Sequence, residues 1–222
     1  MSLLFNAGRQ NLQPVDAAIT SNKFTYGYTP LTKGNTAPDF TLQEKNAILN
    51  SSAGMPASGP ISLKDFLLFR QPLVVLFYNA LNNNIPDITR LISLNKDIQV
   101  MGGRLLILTG TAPRHFNKIQ LQENTLPVYY DSGNEIAGQF GLYDSENPLW
   151  NWVSGIEDEA LPLSAAYIIA PNGKIIFHHI DYTFDLFTNK VFEDAFIRSL
   201  LTNVFHNAQQ HAGFGIEYKS VS

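Results

Sequence analysis

Residues 77–91, FYNALNNNIPDITRL, gather polar groups where an apolar run gives way to an amphipathic one. Asn79, Asn82, Asn83 and Asn84 bring neutral donors and acceptors to this corner, and Thr109 and Thr111 close the next apolar run. Such groups suit a small polar or anionic ligand, because pockets in open α/β sheets lie beyond the carboxyl ends of strands and at helix N-termini. Pro86 works against an anion, since it donates no N–H and so removes one of the amides that would meet the charge. No side chain in the corner is a good nucleophile. The competing reading of the asparagines is local, as turn and cap residues.

The chain has no cysteine, which excludes a disulfide framework, thiolate metal sites and every thiol-based mechanism at once. Its histidines do not form a metal motif. His178 and His179 are neighbours on an expected strand and point to opposite faces, while His206 and His211 stand five apart, beyond the spacing that shares a helix face. His115, near the start of an expected helix, is a candidate member of the corner pocket. Glu157, Asp158 and Glu159 are adjacent, so they cannot all face one point in regular structure and read as a solvated face. They belong to residues 144–163, DSENPLWNWVSGIEDEALPL, which hold five acids, no basic residue and both tryptophans. Trp150 and Trp152 are candidates for a lid or interaction loop, against the alternative that they pack this insertion onto its own domain.

Positioning these groups falls to a regular alternation of elements. PLVVLFY, from Pro72, is a continuous β-branched apolar run, the pattern of a strand buried on both faces. Ile85, Ile88, Leu91, Ile92 and Ile98 follow at helical spacing, with Asn84 as N-cap, Pro86 and Asp87 in the first turn, and Gly102 and Gly103 as the stop. RLLILTG is the next buried strand, so the unit is β-α-β with parallel strands and a right-handed crossover. A helix over about 113–123, a strand in LPVYYD and a short helix in EIAGQFGLY come next. AAYIIAPNGKIIFHHI reads as a hairpin turning at Pro171, Asn172 and Gly173. The last helix runs over about 190–211, with Val191, Phe192, Ala195, Phe196, Leu200, Val204 and Ala208 on one stripe.

Ahead of this unit, a short strand is expected near residues 40–42, a loop over 50–60, and a helical turn beginning in ISLKDFL. FTYGYTP is a candidate strand in an extension over residues 1–35; the main domain covers 36–212 with the 144–163 insertion, and 213–222 form a tail. The order β-α-β, then strand and helix, then β-β-α is an α/β fold of thioredoxin-like topology, a central mixed sheet flanked by helices.

The net charge of -4, with no Lys/Arg cluster, gives no footprint for nucleic acid. No run approaches the ~18 apolar residues of a membrane span, and the N-terminus lacks a basic segment followed by a long apolar one. The expectation is a cytoplasmic protein with no membrane partner, cofactor or metal.

Four stretches also resemble a known family: GNTAPDFTLQ (34–43), ISLKDFLLFRQPLVVLFY (61–78), PVYYDSGNEIAGQFGLY (127–143) and AAYIIAPNGKIIF (165–177). In order and spacing they are similar to the alkyl hydroperoxide reductase/thiol-specific antioxidant group, the peroxiredoxins, over about residues 34–185. The resemblance implies a peroxiredoxin-type fold and a homodimer. It also implies a Pro-x-x-x-Thr/Ser-x-x-Cys motif at the strand-to-helix corner and an arginine just before the hairpin. There a thiolate attacks the peroxide O–O bond, its pKa lowered by the helix N-terminus and the arginine. In this chain the proline position falls on Asn79, the hydroxyl on Asn83, the cysteine on Pro86 and the arginine on Ser164. Shifting the alignment by one residue changes nothing, because no arginine lies between Arg114 and Arg198.

Two functions follow as expectations. The first is a redox-inactive, peroxiredoxin-like protein acting as a binding or interaction module for a small polar ligand or a protein partner. The second is a non-thiol enzyme, with or without a metal, using the same pocket and His115 or an acid of the 144–163 loop.

Overall fold

The computed structural model describes residues 28–49, 59–79, 85–113, 126–151, 160–182 and 194–211, with backbone alone for residues 49 and 85–87. The central strands are β4 (Leu73–Phe77), β5 (Arg104–Thr109) and β6 (Val128–Tyr130), which run parallel. β7 (Ala165–Ile169) pairs antiparallel with β4, and β8 (Ile175–Ile180) antiparallel with β7. At the other edge β2 (Ala47–Leu49) pairs antiparallel with β6, giving the order β2-β6-β5-β4-β7-β8. A separate pair, β1 (Thr41–Leu42) and β3 (Ile61–Ser62), precedes them.

Alternation along β4 explains the continuous apolar run. Leu73, Val75 and Phe77 enter one core, and Val74, Leu76 and Tyr78 enter the other. The second core lies beneath α2 (Ile85–Val100) and α4 (Asp194–His211), through Ile88, Leu91, Leu94 and Ile98 of the former and Phe196, Leu200 and Val204 of the latter. The first lies beneath β1, β3, α1 (Leu63–Leu67) and α3 (Glu135–Gln139). Both faces are therefore closed to water, as a parallel centre requires. The expected α/β architecture, a mixed sheet flanked by helices, is the one observed.

Local chemistry sets the element ends. Ser62 and Asp65 form a reciprocal capping box at the start of α1. α2 stops where Gly102 takes φ +83° and Gly103 donates its N–H to the Ile98 carbonyl at 2.9 Å, a left-handed cap that relieves the last carbonyls. The hairpin turns where expected, with Gly173 at φ +79° and its N–H on the Ala170 carbonyl.

Several details differ from the sequence expectation. β2 was not expected, because three residues at a sheet edge are too short to show a period. Ala195 is exposed, while Asn207 joins the buried side of α4 instead, since helix rotation follows the larger Phe196, Leu200 and Val204. Residues 28–30 carry no strand; the rest of FTYGYTP, the helix expected over 114–123 and Val191 and Phe192 lie outside the described residues.

Tyr167 on β7 is fully buried between Phe77 and Phe140, and its hydroxyl has no hydrogen-bond partner among the described residues. Burial drives its phenol well above the ordinary value. Tyr167→Phe removes that unmet group without opening a cavity, so it is expected to leave stability unchanged or raise it by about 1 kcal/mol. Urea unfolding reads this, and a loss of that size would instead reveal a bonded hydroxyl.

Candidate functional site

β4, β5 and β6 all end on the same side of the sheet, and the polar residues assemble there. Tyr78 donates its N–H to the Leu108 carbonyl, which holds the end of β4 against β5. The Asn79 amide donates to the Pro162 carbonyl at 2.8 Å and to Ser164 Oγ at 3.3 Å. Two positions matched to the family motif, Asn79 and Ser164, therefore touch each other.

Thr109 and Thr111 are buried at the end of β5, and Thr109 Oγ1 accepts the Thr111 N–H at 3.0 Å. The Thr109 hydroxyl thus supports the turn. Pro86 lies in the first turn of α2, as its chemistry suits. Trp150 packs half-buried against the first core. Asn82, Asn83, Asn84, His115 and Trp152 lie outside the described residues. Among the described residues, no three His, Asp or Glu side chains come together as a metal ion would require.

Two residues that the sequence did not single out complete the arrangement. Asp131, just past β6, is buried, and its carboxylate accepts from Ile136 N–H at 3.1 Å and Ala137 N–H at 2.8 Å. It thus serves the free amides at the start of α3 from outside the helix. Burial raises its pKa above the ordinary aspartate value; the amide hydrogen bonds oppose this and nearby Glu135 adds to it. Asn134, 2% exposed and left-handed at φ 58°, donates its side-chain amide to the Ala160 carbonyl at 2.6 Å. Their signal lay in DSGNE, where Asp and Asn flank a glycine ahead of a helix, a pattern of turn and cap residues.

The site therefore offers amides, hydroxyls and a buried carboxylate. At Ser164, where the motif match would put a guanidinium, the only side-chain donor is a neutral hydroxyl. Asp181 is drawn in as well, with its N–H on the Ser164 carbonyl at 2.9 Å. Such a surface suits hydrogen-bond exchange with a neutral group.

Comparison with known proteins agrees with the fold. A sequence model described as the AhpC/TSA family matches residues 33–178. Mycobacterium tuberculosis AhpC is similar in structure, with TM-score 0.55 and 16% identity, covering 84% of this chain and 97% of that one. The reduced 2-Cys peroxiredoxin of Plasmodium vivax gives TM-score 0.51 and 16% identity, over 84% of this chain and 86% of that one. The peroxidoxin BcpB of M. tuberculosis gives TM-score 0.52 and 16% identity, over 81% and 97%. No curated protein matches the chain in sequence.

Proposed function

The chain belongs to the AhpC/TSA family, and from that premise we propose that it is a member without thiol peroxidase activity, serving as a binding or interaction module. The observation that carries this reading is the absence of cysteine from all 222 residues. Reduction of a peroxide by a thiol needs a thiolate to attack one oxygen, breaking the O–O bond so that the sulfur becomes a sulfenic acid and water or an alcohol departs, and no other side chain at the corner supplies that two-electron step. The rest of the matched motif has changed in the same direction. Asn79 and Ser164 hydrogen-bond each other, and neither is the residue type that the motif match calls for.

A binding role draws support from the place of the polar groups. Asn79, Thr109, Thr111 and Ser164 stand at the carboxyl end of the sheet, where open α/β folds take their ligands. The proposed assembly is a homodimer, resting on family likeness.

Purified protein incubated with hydrogen peroxide or an alkyl hydroperoxide and a thiol reductant is expected to consume peroxide no faster than a heat-treated control. Catalytic turnover above that control overturns the proposal.

A further inference from the structure

We draw no further inference here: the strongest candidate, the exposed apolar surface of Leu68 and Phe69 after α1 and Val100 at the end of α2, on the side where β4 and β5 begin, carries nothing, because nothing in the structure shows what covers it.

Discussion

Asp131→Ala is expected to lower the unfolding free energy by about 2–4 kcal/mol, because it leaves two buried amides at the start of α3 without an acceptor. Those amides, of Ile136 and Ala137, lie inside the first core, where water cannot replace the carboxylate. Asp131→Asn keeps one acceptor oxygen and should lose less. The pH dependence has a definite sign. Burial raises the folded pKa above the unfolded value, so the folded protein holds this proton more tightly. Asp131 therefore contributes its full stability below the unfolded aspartate value, and part of it is lost as pH rises through the raised folded value. The difference in stability between wild type and Asp131→Asn should be largest in acid and narrow toward neutrality. Urea unfolding at several pH values reads both effects. A loss under about 1 kcal/mol for Asp131→Ala, or a gap that widens with pH, would count against this account.

The fold was legible wherever a residue's role depends on its neighbours in the chain. PLVVLFY marked the central strand because both faces are buried, and Pro171, Asn172 and Gly173 marked the hairpin because turn geometry is local. β2 was not, since Ala47–Leu49 owes its strand state to pairing with β6 rather than to any pattern of its own. The site shows the same division. Asn79 stood out as a polar group at a strand end, and its place there is as expected. Its partners, Pro162 and Ser164, lie more than eighty residues away, and no local signal announces them. Asn134 was not singled out in the sequence, though its backbone is that of a turn residue. Its side chain does something else, reaching the Ala160 carbonyl across β5. A cap or turn reading accounts for the backbone at such positions and leaves the direction of the amide open.

Phe140→Ala should be among the most damaging single changes in the chain, at about 3–5 kcal/mol. Phe140 is 0% exposed and ends α3, and its ring meets Phe77 and Tyr167 at 5.1 Å and Phe40 at 6.4 Å. The three tilted ring pairs join β4, β7 and the segment before β1, so the cavity would open between elements that cannot all collapse into it. Loss of the pairs themselves adds roughly 0.5–1.5 kcal/mol each, part of it already within that total. Phe140→Leu keeps most of the volume and should cost markedly less. The change should also reach residues 160–163, because Leu142, two residues on, gives its carbonyl to Leu163. Here the pattern differs from Asn134→Gly. Removing the ring weakens the whole first core, so β4 and β7 amides should exchange faster together with those of Leu161 and Leu163. Asn134→Gly, which removes only the bond to the Ala160 carbonyl, should loosen residues 160–163 alone. Urea unfolding paired with hydrogen exchange separates them, and a Phe140→Ala protein within about 1 kcal/mol of wild type would show that the aromatic cluster does not hold this core together.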